Sequence, residues 1–143
     1  MKIEFRKAVL PADLRALLAF DSKVFPAPDR FPADYWREIE SWWMLVGRAR
    51  AGCCAFEKRG KTLYLSTTGL LPRFQGRGLG AVMKAWELAY ARYHGYRRVT
   101  THCRKSNTRM IALNRQFGFK IRRTVRGYYT HPDDDAVLME LIL

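Results

Sequence analysis

Residues 3–9 (IEFRKAV) alternate apolar and polar side chains with the two-residue period of a half-buried strand. Pro11-Ala12-Asp13 opens a helix in which Leu14, Leu17, Leu18 and Phe25 recur at helical spacing. The stretch FPAPDRFPADYW holds three prolines and reads as a loop running into a second short helix near 33–40. Strand-like runs follow at 42–48, 51–57 and 62–71, and turn signals at 48–50 and 59–61 make them an antiparallel meander. Val82, Ala85, Trp86, Ala89, Tyr90 and Tyr93 then share one face of an amphipathic helix, with Lys84, Glu87 and Arg92 elsewhere. Gly95 ends that helix. Residues 96–103 read as a strand, 107–117 as a helix stopped by Gly118, 119–126 as a strand and 136–143 as a buried strand. The order β-α-α-β-β-β-α-β-α-β-β is that of a single mixed α/β sheet.

With 143 residues and 48% hydrophobic content the chain suits one domain, spanning residues 1–143. No apolar run approaches the ~18–20 residues of a membrane span. The N-terminal MKIEFRKAVL has no apolar core of a signal peptide, so a cytoplasmic location and no membrane partner are expected. Three cysteines, two of them adjacent at Cys53 and Cys54, make a poor disulfide framework. There is no CxxC pair, and His102 and Cys103 point to opposite faces of an extended strand, so no metal site is expected.

Charge changes the picture more. The net charge is +13, and residues 73–126 hold fourteen Lys and Arg against one acid, Glu87, while the remainder balances at twelve of each. Such a field suits a phosphate-bearing ligand, an acidic substrate or nucleic acid. A solvated basic face accounts for much of the same charge.

Within that stretch, "FQGRGLG" sets glycines at 76, 78 and 80 where a helix begins. A P-loop would need GxxxxGK(S/T), which is absent. A dinucleotide fingerprint would need an acid about twenty residues on, and nothing acidic lies between Glu87 and Asp133. A ligand-free tight turn is one remaining reading. The other is an anion site: bare amides at a helix N-terminus, with Arg73 and Arg77 beside them, which a pyrophosphate approaches because side chains are missing.

These residues resemble the GNAT superfamily of N-acetyltransferases. Gln75-Gly76-Arg77-Gly78-Leu79-Gly80 is similar to its Q/R-x-x-G-x-G/A signature, and "SNTRMIALNRQFGF" to its N-x-x-x-(I/A)-x-L-Y-x-x-x-G-F stretch. "CRKSN" and the tail "RGYYTHPDDDAVLME" resemble the ribosomal-protein-alanine N-acetyltransferase branch. The resemblance implies the acyl-CoA N-acyltransferase fold, a mixed sheet of six to seven strands flanked by about four helices. It implies acetyl-CoA as co-substrate and no metal, with Thr68, Gly69 and Leu70 on the pantetheine arm. Gln75, Gly76, Arg77, Gly78, Leu79, Gly80 and Ala81 would hold the pyrophosphate, and Asn107 would bond to the cofactor beside the pantetheine. The acceptor would meet FPAPDRFPADYW and YYTHPDDD.

Two positions depart from the family pattern: His102 stands where the branch has a glutamate base, and Asn114 where the family has a proton-donating tyrosine. An amine must lose a proton before it attacks a thioester, and a neutral imidazole can take it. His102 is therefore the candidate base, with Glu57 a distant second. Coenzyme A leaves as a thiolate of pKa near 8.5, so a weak donor such as the Asn114 amide suffices. Tyr128 and Tyr129 are substitute hydroxyl donors, and Asp133–Asp135 either hold a cationic acceptor or form a solvated turn. The expected activity is acetyl transfer to a primary amine, a protein or peptide N-terminus or a small molecule, by direct attack, in a monomer or homodimer. A non-catalytic acyl-CoA-binding module and a basic protein that binds nucleic acid or the ribosome are the readings from other classes.

Overall fold

A computed structural model describes residues 2–143. The elements follow the expected order: β1 (Ile3–Lys7), α1 (Leu14–Val24), α2 (Ala33–Glu38), β2 (Glu40–Val46), β3 (Ala49–Arg59), β4 (Thr62–Leu70), α3 (Leu79–Tyr93), β5 (Arg98–Arg104), α4 (Thr108–Gln116), β6 (Lys120–Tyr129) and β7 (Asp134–Ile142). The seven strands lie in the order β1-β2-β3-β4-β5-β7-β6. β4 and β5 run parallel, whereas β1–β2, β2–β3, β5–β7 and β6–β7 are antiparallel, so the sheet is mixed. The residues group into two compact units: those up to Glu57 with Ser66–Met83, and Lys58–Leu65 with Lys84–Leu143.

In the first unit the helical leucines and the inward residues of β2 and β3 make one core. Leu17, Phe20, Trp36, Trp43, Leu45, Cys53 and Ala55 cluster there, with Phe20 and Trp43 edge to face at 5.8 Å. Trp43 is core; Trp42 is half-buried and donates its indole N–H to Glu40 at 2.8 Å. The proline-rich loop after α1 is tied down from both sides. Arg30 Nε donates to the Phe25 carbonyl at 2.8 Å, and the buried Asp21 carboxylate accepts the Phe31 N–H at 2.9 Å. Burial pushes the Asp21 pKa up, against the lowering effect of that hydrogen bond.

In the second unit α3 corrects the sequence reading. The helix lies where its periodicity puts it, but Met83, Lys84, Glu87, Leu88 and Ala91 are buried. Of the expected inward stripe only Tyr90 is buried; Val82, Ala85, Ala89 and Tyr93 are exposed. The physical reason is charge neutralisation inside the protein. Lys84 Nζ lies 3.4 Å from Glu87 Oε1 one turn on, and 5.5 Å from the Phe119 ring centroid. Paired in this way, both charges can leave water, and deleting either partner would cost ~3–5 kcal/mol.

Candidate active site

The glycine stretch lies wholly in the first unit. A 3-10 turn over Pro72–Phe74 turns the chain out of β4, and the Gln75 side-chain amide donates back to the Leu70 carbonyl at 3.0 Å. Gly76 and Gly78 follow with φ of +76° and +79°, and a Cβ at either would meet no atom within 4 Å. Left-handed backbone disfavours side chains, yet no neighbouring atom crowds these positions. The space beside the main chain is open. α3 then begins at Leu79, so the amides of Leu79, Gly80 and Ala81 belong to the first turn, which contains no acidic residue. Gln75, Gly76, Arg77 and Gly78 are exposed. Arg73 and Arg77 lie over the buried Phe74 ring, 4.7 and 5.6 Å from its centroid. An exposed row of bare amides, a helix dipole and two guanidinium groups fit a diphosphate.

Thr68, Gly69 and Leu70 form the last turn of β4 before this loop. Gly69 has a packing reason as well: a Cβ there would lie 2.8 Å from Val24 Cγ1 and 3.1 Å from Phe25 Cε2. Glu57 is engaged in the same unit, accepting the Tyr35 hydroxyl at 2.9 Å, and that hydroxyl also lies 2.8 Å from Ser66 Oγ.

The second unit holds a caged histidine. Parallel pairing sets Tyr64 opposite Thr100, so Tyr64 and His102 project from one face of β4 and β5. The Tyr64 hydroxyl hydrogen-bonds Nδ1 of His102, and the two rings stack at 5.5 Å with an interplanar angle of 16°. Tyr128 meets the imidazole edge-on at 5.1 Å, and Tyr129 lies at 6.2 Å. Arg59 covers the outer side of Tyr64 at 4.1 Å, and Arg104 covers Tyr129 at 4.6 Å. Burial, and then the Arg59 charge, push the His102 pKa below its ordinary 6.5. The imidazole is therefore neutral at physiological pH. In the tautomer that donates Nδ1–H to the Tyr64 oxygen, Nε2 carries the lone pair of a general base.

The remaining expected residues have other surroundings. Asn107 caps α4, its Oδ1 accepting the Met110 N–H at 3.2 Å, while its amide N–H groups remain available. Asn114 is fully buried, with Nδ2 3.6 Å from the Met139 sulfur and no hydrogen-bond partner for Oδ1 among the described residues. Asp134 accepts from Ser106 N–H at 3.2 Å and Ser106 Oγ at 2.5 Å, and Asp135 accepts the Gly127 N–H at 2.9 Å. The Ser106 hydroxyl above all holds the Asp134 carboxyl below its ordinary pKa. These acids brace the turns around β5 and β6. Burial raises the Cys103 thiol to about 11, against the pull of Lys84, so it stays protonated.

Tyr64 and Arg59 escaped the sequence reading. The alternation Leu63, Tyr64, Leu65, Ser66 was there to be read, with both leucines buried and Tyr64 on the opposite face. What the sequence lacks is the register that brings Tyr64 to His102.

The profile of the "Acetyltransferase (GNAT) family" matches residues 12–119. A Drosophila melanogaster protein, "Probable N-acetyltransferase san", is 27% identical over 94% of this chain and 78% of its own length. The fold is similar to the ribosomal-protein-S18-alanine N-acetyltransferase from Escherichia coli, with TM-score 0.88 at 18% identity over 99% of this chain and 94% of that one. It is also similar to a Bacillus subtilis acetyltransferase crystallised with CoA, with TM-score 0.81 at 17% identity over 99% of both chains. The glycine loop and helix opening just described lie inside the matched residues, and the chain belongs to the GNAT acetyltransferase family.

Proposed function

We propose that this enzyme uses acetyl-CoA to acetylate the α-amino group of a polypeptide, with His102 as general base. The carrying observation is the neutral imidazole held between Tyr64 and Tyr128. An α-ammonium (7.7–8.0) gives up its proton about 3.5 kcal/mol more readily than a lysine ammonium (10.4), whatever the base. A base whose proton affinity is lowered by burial is weak and depends on the more acidic amine. The fold shared with the Escherichia coli ribosomal-protein-S18-alanine N-acetyltransferase supports a polypeptide acceptor.

In the proposed reaction His102 Nε2 removes a proton from the ammonium, the freed amine attacks the thioester carbonyl, and the C–S bond breaks. The attacking nitrogen passes its second proton to the departing thiolate or to solvent, and the imidazolium returns its proton to solvent. The glycine loop grips the pyrophosphate through the amides from Gly76 to Ala81, since the Gln75 N–H is donated to the Pro72 carbonyl at 3.2 Å, and the Asn107 amide is a further donor to the carrier. Transfer is direct: Cys53 and Cys54 are buried and the Cys103 thiol is protonated, so none supplies a thiolate for an acyl-enzyme. Free thiols and acetyl-CoA both fit a cytoplasmic setting.

Thiol release from acetyl-CoA, with mass-spectrometric mapping, tests this reading on three acceptors: a peptide with a free N-terminus, the same peptide N-blocked with one lysine, and a polyamine. The free N-terminus should be acetylated fastest. Preference for the lysine or the polyamine would overturn it, the latter in favour of a small-molecule acceptor.

A further inference from the structure

Most of the α3 stripe that the periodicity assigned to the core faces out, and a row of rings runs from the half-buried Trp86 and buried Tyr90 to its exposed C-terminal end. Trp86 and Tyr90 lie 5.6 Å apart, Tyr90 and His94 4.2 Å, and Tyr93 and His94 5.2 Å. Tyr93 is 87% exposed. An aromatic ring left so far in water, at the end of a ladder of other rings, has one free face.

Cations crowd the same end of the second unit. The N–H of Arg97 donates to the Lys61 carbonyl at 2.8 Å, four residues after Tyr93, and Arg98 pairs with Thr62. The row continues across β7 to β6, where Lys120 pairs with Glu140. Arg98 and Arg122 share that one carboxylate, at 3.2 and 3.5 Å. Lys61, Arg92, Arg97 and Lys120 have no acidic partner among the described residues. Four adjacent strands at ~4.8 Å spacing make this a band about 14 Å wide. Arg92 suits the negative end of the helix dipole, and cations guard sheet ends against aggregation. Neither explains the exposed rings.

We propose that this end of the second unit binds single-stranded nucleic acid, with Tyr93 stacking on a base and Lys61, Arg92 and Arg97 meeting phosphates. Planar rings beside unpaired cations match a strand whose bases are splayed out, because stacking tolerates any base and the cations track the backbone. An acidic protein segment would satisfy the cations but leave the ring face without a planar partner. The site is independent of the amine acceptor and of acetyl-CoA.

Fluorescence anisotropy with labelled oligo-U RNA and oligo-dT of about twelve nucleotides tests it on the full chain. Binding should weaken about 20-fold from about 50 to about 200 mM salt if about three phosphates are neutralised. Tyr93→Ala should weaken it about 5- to 100-fold, with an unchanged melting temperature and unchanged thiol release. Lys61→Glu with Arg97→Glu should weaken binding and flatten the salt dependence. Arg15→Glu with Arg48→Glu, an equal charge change in the first unit, should have little effect. Preference for RNA over DNA, or the reverse, names the ligand. The proposal fails if neither oligomer binds, if Tyr93→Ala binds as the wild type does, if the Arg15/Arg48 variant loses as much, or if a polyglutamate peptide binds more tightly than both.

Discussion

The glycine loop and the histidine cage solve opposite problems. Between Gln75 and Ala81 three glycines leave main-chain N–H groups uncovered, as the proposed diphosphate site requires. Around His102 the chain adds side chains: three tyrosines meet one imidazole, two arginines lie over the outer tyrosine rings, and burial with the Arg59 charge lowers the histidine pKa. In the proposed reaction the loop would hold the diphosphate through backbone and the cage would supply the base from side chains, so the two should fail differently when altered.

The largest separation is expected from Gly78→Val. The branched side chain is strained at φ +79° and enters the space left for the ligand. Losing two charge-assisted hydrogen bonds at ~1.5–3 kcal/mol each lowers kcat/KM roughly 10²–10⁴-fold. Thermal stabilisation by acetyl-CoA should vanish with it. Gly60→Val is the matched control: φ is +60°, again with no atom within 4 Å of its Cβ, but in the turn between β3 and β4. It carries the same backbone strain and should keep acetyl-CoA stabilisation. Equal loss in both variants would reduce the loop to a tight turn.

His102→Gln should leave acetyl-CoA stabilisation intact and lower kcat about a hundredfold or more. The wild-type rate should fall on acidification only at a pH below that at which an ordinary imidazole protonates. The variant should lose that acidic limb. An unchanged limb would assign the proton transfer elsewhere, with Glu57 the next residue to change.

That contrast also explains what the sequence disclosed. Glycines at 76 and 78 announce a backbone site because their spacing along one chain is the site. Element order was legible from periodicity for the same reason, each element being a local pattern. The α3 face was misread because a lone Lys84 and a lone Glu87 look like surface residues; only their pairing one turn apart at 3.4 Å lets both go inside. The cage was half visible. His102 stood out at its motif position, but Tyr64 arrives through the parallel register of β4 and β5, 38 residues away in sequence.

Asn114 sharpens the boundary between the two kinds of site with a smaller effect. Its unpartnered Oδ1 is a buried acceptor without compensation. Asn114→Leu, of similar volume, should raise stability by about 1 kcal/mol, or the melting temperature by about 3 °C, with turnover within about twofold of wild type. A fall in kcat at unchanged stability would instead give the amide the leaving-sulfur role that its motif position implies.

The smallest expected change is in pH dependence, and it isolates one charge. Arg59 lies over Tyr64 and, after burial, is the second cause of the lowered His102 pKa. Arg59→Gln removes a cation that disfavours imidazolium, so the pKa rises toward 6.5 while burial still holds it below. The acidic limb of kcat should move to higher pH, with the plateau at pH 8 unchanged. Stability should respond with the same sign. A histidine whose folded pKa is depressed contributes stability above its unfolded pKa of about 6.5, and loses it as pH falls through the folded value. In the Arg59→Gln protein that contribution is smaller, so acid costs it less through this residue. A limb that stays fixed would mean that burial among the tyrosines alone sets the proton affinity, and that Arg59 acts on the cage only by packing.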